Sequence, residues 1–390
     1  MTTYLGLNVT SPFPLLLNDV EMREAIADRE ELRFMKQPNG TSVCCYMISG
    51  PETFRDGFSR EARGVVFDET GKTVGRPLHK FFNVNQMPHT LVDVIDWSQV
   101  VRVMDKRDGS MIHTVAVPSE LGNFTFKSKK SYTSDVALQA TKFVKNSLRG
   151  YIKFCEYMVS NGKTPVFEWT SPTARIVLAY AEDCMTLLHV RDNVTGEYVS
   201  REDLKSHCDF YNIPFVDHRD DVMELIKADP KGAVHKLYEE TEGVEGWVMQ
   251  FKNGDMVKLK TKWYMDRHHA MTFLRTRDIA RMVIDETLDD LIAKLVGDGI
   301  NVDQIRDIED RVVREVNYIT ERVELVYNAN SSLDRKEFAM LMKGHRYFGL
   351  IMQRYSGKEP DYNGYFARNK LDEMFDLTQL NLTDSIAEVE

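Results

Sequence analysis

The chain has 390 residues, of which 43% are hydrophobic and 28% are charged, and its formal net charge is −10. This length predicts more than one domain, and this composition is that of a soluble globular protein rather than a disordered or membrane-embedded one. Residues 277–390 carry 15 Lys and Arg against 23 Asp and Glu, so the rest of the chain is nearly neutral and can still form a local basic groove.

The first part of the chain, up to about residue 265, consists of short apolar runs separated by turn residues, which predicts antiparallel hairpins. Asn253-Gly254 is a strong hairpin signal between the last two runs. A helical apolar spacing interrupts the strands at 134–159, with Ser134 as its N-cap. Strands are predicted at 64–67, 166–169, 176–180, 186–190, 246–251 and 256–260.

The remainder of the chain has apolar residues at intervals of three and four, beginning near residue 279 and clearest at 302–326. This spacing is helical, with breaks expected at 297–299 and 328–331. The sequence therefore predicts an α+β catalytic domain at 1–275, with a mixed or antiparallel sheet, and an all-helical domain at 276–390.

Lys106, which precedes Arg107, Asp108 and Gly109, is a candidate nucleophile. A lysine amine that attacks the α-phosphate of a nucleoside triphosphate needs a nearby carboxylate and a glycine that lets the nucleotide approach the backbone. Asp108 and Gly109 supply both. The alternative is a polar strand end that runs into an ordinary Asp-Gly turn.

Two carboxylates and two further lysines follow on predicted strands. Glu168 lies in an apolar run, where an unpaired charge is costly, and Glu245 is flanked by glycines. Lys258 and Lys260 alternate with apolar residues, so both ammonium groups emerge on one strand face and can bind phosphates. Taken singly, Glu168 and Glu245 are better explained as members of structural ion pairs, and Lys258 with Lys260 as part of an ordinary solvent-exposed face.

In this order the residues match the sequence motifs of covalent nucleotidyltransferases, and the chain closely resembles the T-even phage RNA ligase 1 family over residues 40–265. The resemblance is weaker in the C-terminal region. The segments that resemble the family are 61–65, 76–83, 126–129, 174–180 and 262–264.

The resemblance implies an ATP-dependent RNA ligase that uses Mg²⁺. Lys106 would form lysyl-AMP, AMP would pass to an RNA 5′-phosphate, and a 3′-hydroxyl would then expel AMP. Nearby cations such as Lys258, Lys260 and a bound Mg²⁺ would disfavour the ammonium form of Lys106 and so favour loss of its proton. By similarity, Glu168 would bind the ribose and Glu245 would hold metal. Lys258 and Lys260 would bind the α-phosphate, and Arg63 and Lys80 would bind the outer phosphates. Asp108 would assist later steps, and the residues that would lie at the nucleotide are Gly109, Lys129 and Tyr264.

The substrate implied by the resemblance is nicked tRNA, cleaved in the anticodon loop. The chain lacks a phosphate-binding P-loop, so a separate polynucleotide kinase/phosphatase would prepare the ends. A limited patch at Lys343, His345 and Arg346 is a candidate RNA contact. We expect a cytoplasmic monomer, in the host cytoplasm if the protein is phage-encoded, without membrane association. The alternatives are a DNA ligase, a GTP-dependent capping enzyme and a non-enzymatic RNA-binding protein.

Overall fold

The computed structural model describes residues 12–47, 53–272, 276–297, 302–367 and 371–375. The chain divides into two compact units, one up to Arg267 and the other from His268. Within the described residues, no helix is both long enough and apolar enough to cross a lipid bilayer.

The strands of the first unit form three four-stranded sheets within the described residues. The first sheet contains β1 Leu32–Lys36, β2 Ser42–Tyr46, β3 Arg63–Phe67 and β4 Thr73–Gly75, in that order. The second has the order β10-β9-β7-β8, with β7 Ser110–Val115, β8 Thr125–Lys127, β9 Lys163–Thr170 and β10 Cys184–Asp192. The third has the order β5-β12-β11-β6, with β5 Phe82–Asn83, β6 Val100–Lys106, β11 Gly246–Phe251 and β12 Met256–Lys260.

Among the strands that the structure describes, every pair is antiparallel except β12 with β5, so the unit is a mixed α+β fold as predicted. The hairpin between β11 and β12 has the predicted bounds. Gly254 has φ +87°, a backbone conformation that glycine adopts without strain, and its N–H donates to the carbonyl of Phe251 at 2.8 Å.

Helices cover the outer faces of the second and third sheets. Helices α3 and α4 pack on the second sheet, and α6 and α7 on the third, each around an apolar core. The helices of this unit are α1 Val20–Ala25, α2 Gly57–Glu61, α3 Asp135–Asn146, α4 Tyr151–Ser160, α5 Arg201–Tyr211, α6 Asp220–Ala228, α7 Pro230–Glu240 and α8 Lys262–Thr272, the last of which continues past Arg267.

The inner faces of the second and third sheets meet across a small apolar layer. Leu78, Phe81, Val166 and Met256 are buried there, with Val248 packed against them. The polypeptide passes from the third sheet to the second through residues 107–109, because β6 ends at Lys106 and β7 begins at Ser110. The candidate nucleophile thus lies where two sheets join.

The second unit consists of helices joined by turns and loops in its described residues, with a core that includes Ile308, Val312, Ile319 and Val323. Its helices are α9 Thr276–Ile284, α10 Leu288–Gly297, α11 Asp303–Asn330, α12 Arg335–Met342, α13 Phe348–Tyr355, α14 Tyr362–Ala367 and α15 Leu371–Met374. The expected break at 328–331 falls at the end of α11, and the one at 298–299 lies outside the described residues. The predicted domain boundary at 275/276 stays a prediction.

Two local predictions need correction. The helical stretch at 134–159 is two helices with a break between Asn146 and Tyr151, and the Ser134 hydroxyl donates to Ser128 Oγ instead of capping the first turn. Residues 176–180 form a loop rather than a strand.

Candidate active site

The register of the third sheet places one lysine on each side of a glycine. Gly246 in β11 pairs with Lys106 of β6 on one side and with Lys260 of β12 on the other. Gly246 has φ +145°, and a Cβ at this position would lie 1.9 Å from the Leu259 carbonyl oxygen. Glycine is therefore required for the close strand packing that sets the two lysines across from each other.

Glu245 lies directly before that glycine, and its carboxylate is buried between the two lysines. Glu245 Oε1 is 2.8 Å from Lys106 Nζ and 3.2 Å from Lys260 Nζ, and only 1% of the side chain is exposed. Its second oxygen, Oε2, is buried without a hydrogen-bond partner among the described residues. The carboxylate thus holds both lysines through one oxygen and keeps the other available.

The charge state of Lys106 is set by competing effects. Burial disfavours the ammonium form, but the acidic side chains around Lys106, above all Glu245, outweigh burial and raise the pKa of Lys106. Lys258 and Lys260 repel Lys106, but the carboxylates outweigh these cations, so the expected net lowering of this pKa is not seen in this arrangement. Lys106 is a protonated lysine held by Glu245.

Glu168 lies on β9 of the second sheet, opposite Met111 and Thr186. Burial raises the pKa of Glu168 to about 8, although the positive charge of Lys106 acts in the opposite direction. The predicted cost of burying this carboxylate is thus present in the structure. Near neutral pH the side chain exists largely in its protonated form, which can donate a hydrogen bond as well as accept one.

Asp108 organises the loop that the sequence suggested was a strand. Its Oδ2 accepts hydrogen bonds from the backbone N–H groups of Val177 at 2.8 Å and Leu178 at 2.6 Å, and its Oδ1 accepts one from the hydroxyl of Tyr264 at 2.7 Å. The N–H of Asp108 donates to the Tyr180 hydroxyl. Residues 176–180 curl around this carboxylate, which explains why they do not pair as a strand.

Gly109 and Tyr264, both predicted to lie at the nucleotide, have packing reasons for their identities. A Cβ on Gly109 would lie 2.3 Å from the Trp169 carbonyl oxygen. The absence of a side chain at Gly109 therefore lets its backbone pack closely against β9. Tyr264 is fully buried and donates to Asp108. Asp108, Gly109 and Tyr264 hold the loops of the site in place.

Lys258 is surrounded by positive charge. Burial lowers the pKa of Lys258 well below its usual value, and the nearby charges of Lys260, Lys106 and Lys80 lower it further. Within the described residues Lys258 has no carboxylate partner, and Nη1 of the neighbouring Arg63 is buried without an acceptor. An anionic ligand would relieve both groups.

Lys80 and Lys129 lie over aromatic rings that the sequence did not single out. Lys129 Nζ is 3.2 Å from the Tyr46 hydroxyl and 4.5 Å from the centre of its ring. Lys80 Nζ is 5.1 Å from the Tyr46 ring and 5.0 Å from that of Phe54. Tyr46 and Phe54 lie outside every motif recognised in the sequence. No spacing pattern therefore identified them as neighbours of the site lysines.

Other residues in the family-like segments belong to a buried ion network. Glu61 accepts hydrogen bonds from Arg76 and from Arg191, and all three side chains are almost completely buried. Asp255 likewise binds Arg60 and His79. In segment 76–83, Arg76 and His79 therefore belong to the buried ion network, whereas Lys80 belongs to the candidate site.

The structure brings together five of the candidate residues, Lys106, Glu168, Glu245, Lys258 and Lys260. The candidate RNA contact residues belong to the other unit. Lys343 and Arg346 are exposed and His345 is half-buried, in the turn between α12 and α13.

Comparison with known proteins gives a family and several relatives. A family model described as RNA ligase matches residues 61–264. A putative RNA ligase of Thermovibrio ammonificans is 27% identical over 304 residues, which cover 75% of this chain and 76% of that protein. RNA ligase 1 of bacteriophage TS2126 is 24% identical over 276 residues, which cover 66% of this chain and 64% of the phage protein.

Among solved structures, an archaeal ATP-dependent RNA ligase aligns over 89% of this chain and 88% of its own, at 13% identity and a TM-score of 0.43. A putative ATP-dependent DNA ligase from Aquifex aeolicus aligns over 84% and 88%, at 13% identity and a TM-score of 0.42. The family match covers every candidate residue named above from Glu61 to Tyr264.

Proposed function

The chain belongs to the RNA ligase family, a family of enzymes that join RNA, and on that premise we propose that it seals RNA 3′-hydroxyl and 5′-phosphate ends with ATP. The reaction proceeds through lysyl-AMP on Lys106 and then an RNA-adenylate. The observation that carries this proposal is the contact of Lys106 with the buried carboxylate of Glu245, beside Lys258, which has no carboxylate partner among the described residues.

Lys106 must lose its proton before its nitrogen can attack the α-phosphate. Glu245 Oε1, 2.8 Å from the lysine nitrogen, holds that proton in place. Once Glu245 turns away, Lys106 loses the strongest of the influences that hold its proton. Burial and the charges of Lys258 and Lys260 then favour the neutral amine, while Glu168 and Asp108 still favour the ammonium form. Movement of Glu245 thus shifts Lys106 towards the nucleophilic amine.

A divalent cation, Mg²⁺ in our proposal, fits Glu245. The free oxygen of this buried carboxylate is a hard ligand of the kind that Mg²⁺ prefers. The described residues contain no group of three or more His, Cys, Asp or Glu side chains that could hold a metal alone, which suits an ion that shares its coordination with substrate phosphates. Such an ion would neutralise charge on the α-phosphate.

The cation cluster provides the phosphate contacts. Lys258 and Lys260 bind the α-phosphate as pyrophosphate departs, while Arg63 and Lys80 hold the outer phosphates and Lys129 supports them. Neighbouring cations repel Lys258 and Arg63. Binding of an anion at this position is favoured because its negative charge offsets part of that repulsion.

Glu168 binds the ribose of the nucleotide, and its protonated form adds a donor to that contact. Asp108 and Tyr264 position the loop around the nucleotide through later steps. ATP is chosen over GTP in this proposal because of the family resemblance.

The substrate is nicked tRNA, and a separate polynucleotide kinase/phosphatase supplies its ends. We propose that the protein works as a monomer in the cytoplasm, and that Lys343, His345 and Arg346 contact RNA. Replacing Lys343 and Arg346 together with Ala should reduce sealing of a broken anticodon loop several-fold relative to an unstructured RNA. An equal reduction for both substrates would argue against this patch.

The first step is tested with α-labelled ATP or GTP and Mg²⁺, followed by denaturation and detection of retained label. Wild-type protein and the control Lys262→Ala, which alters an exposed lysine bound to Asp266, should retain label from ATP. Lys106→Ala should retain none, and it should fail to seal 5′-phosphorylated RNA. Full sealing by Lys106→Ala would contradict the proposed mechanism.

A further inference from the structure

A second cavity in the first unit lies away from the lysine cluster. It has a volume of about 400 Å³ and is lined by the beginning of β6, the first turn of α5 and the hairpin that joins β11 to β12. Lys106 and Glu245 are not among its lining residues. Arg102 and Lys106 share one face of β6, four residues apart, so the two positions are separated by about 13 Å along the strand.

Arg102 is the most unusual residue of this cavity. It is 3% exposed, yet its Nε and Nη2 have no hydrogen-bond partner among the described residues. Its guanidinium lies over the ring of Phe215, 4.9 Å from the ring centre, which supplies only a weak partner for the charge. Burial and the nearby charge of Arg201 lower the pKa of Arg102 to about 10. A buried cation with unused donors is costly unless a ligand completes it.

Other buried donors on the lining residues are also unused. Arg201 Nε and Asn253 Nδ2 have no hydrogen-bond acceptor among the described residues. Nδ1 of His218 has neither a donor nor an acceptor among them. The Nε2 of His218 already binds Asp220. Donors from three separate elements therefore surround one cavity.

The first turn of α5 adds backbone donors. The Ser200 hydroxyl accepts the N–H of Asp203, which leaves the earlier N–H groups of the helix without an intrahelical acceptor. A helix N-terminus favours anions, and this one lies beside the unpaired Arg102. Two carboxylates, Glu197 and Glu202, also line the cavity, together with Arg102, Arg201, His218 and Lys252.

We propose that this cavity is a phosphate-binding site. A phosphate group offers several oxygens that can accept hydrogen bonds from donors arriving from different directions, and the fork of an arginine matches two of them. The phosphate can be a free ion or a backbone phosphate of RNA. The inference rests on the donors of the cavity and does not depend on adenylate transfer at Lys106.

Titration calorimetry with inorganic phosphate, and separately with a 5′-phosphorylated single-stranded RNA, tests this proposal. The variants are Arg102→Gln and, because Arg102 is buried, also Arg201→Gln at the rim. Arg149→Gln is the matched control, since Arg149 is exposed and does not line the cavity. Lys258→Met identifies any phosphate bound near Lys106. Circular dichroism checks that each variant is folded.

We expect both cavity variants to weaken binding about tenfold or more, while Lys258→Met and Arg149→Gln retain the cavity site. Loss for inorganic phosphate and RNA alike would assign the site to any phosphate group, and loss for RNA alone would assign it to the RNA backbone. Unchanged binding of both probes by folded Arg102→Gln or Arg201→Gln protein would overturn the proposal.

Labelling with α-labelled ATP separates this test from that of the proposed function. Arg102→Gln should form the lysine adduct as the wild type does, because Arg102 does not contact Lys106. Failure of the wild type to form an adduct would count against the reaction proposed for Lys106, and it would leave the phosphate titration as a separate measurement of the cavity.

Discussion

The first unit contains two buried clusters of charged residues, and they differ in how completely their hydrogen bonds are made. In the ion network, the guanidinium nitrogens of Arg76 and Arg191 all donate to Glu61 or to backbone carbonyls. In the active site, Glu245 has an unused oxygen and Lys258 has no carboxylate partner among the described residues. The completed cluster stabilises the fold, whereas the incomplete one is prepared for a ligand.

Breaking the completed cluster should give the largest effect on stability. Glu61→Gln leaves two buried arginines without their carboxylate, so the free energy of unfolding should fall by about 3–5 kcal/mol. Urea unfolding followed by circular dichroism measures this change. The control Glu120→Gln removes the exposed ion pair with Lys145 and should cost less than about 1 kcal/mol. Equal effects from the two substitutions would show that the buried network of Glu61 stabilises the fold no more than an exposed ion pair does.

Substitution in the incomplete cluster should affect activity and spare stability. Lys258→Met removes a buried cation that other cations repel, so the free energy of unfolding should be unchanged or slightly higher. Formation of the lysine adduct should slow by about 10²–10³-fold, as for loss of one preorganised electrostatic contact. Single-turnover labelling measures the rate, with Lys262→Met as the control. A strong loss of stability would place Lys258 with the structural residues.

Glu168 should produce an effect that depends on pH. Burial raises its pKa to about 8, so between pH 4.5 and 8 the unfolded chain releases this proton while the folded chain keeps it. This group therefore makes the free energy of unfolding decrease as pH rises through that window. Glu168→Gln should flatten this dependence, measured by urea unfolding at several pH values, whereas the exposed Glu182→Gln should not. An unchanged slope in Glu168→Gln would show that the carboxyl ionises normally.

The sequence was most informative where local pattern decides structure. Strands β11 and β12 have their predicted bounds because alternation and the Asn-Gly turn are properties of adjacent residues. The grouping of Lys106, Glu168 and Glu245 followed from motif order. None of this required knowledge of distant contacts.

Predictions failed where a distant side chain decides. Residues 176–180 have the composition of a strand, but the carboxylate of Asp108, some seventy positions earlier, captures two of their backbone N–H groups. The partnership of Glu61 with Arg191 spans an equally unpredictable separation along the chain. The raised pKa of Lys106 depends on Glu245 Oε1 meeting it across the sheet, which no spacing reveals.

The most direct test of the account is to locate the adduct. After incubation with ATP and Mg²⁺, the protein is digested and the AMP-bearing peptide is sequenced by mass spectrometry. We predict AMP on Lys106, with Lys258 and Lys260 unmodified. AMP on either of those lysines, or a folded protein that never carries AMP, would contradict the assignment of Lys106 as the nucleophile.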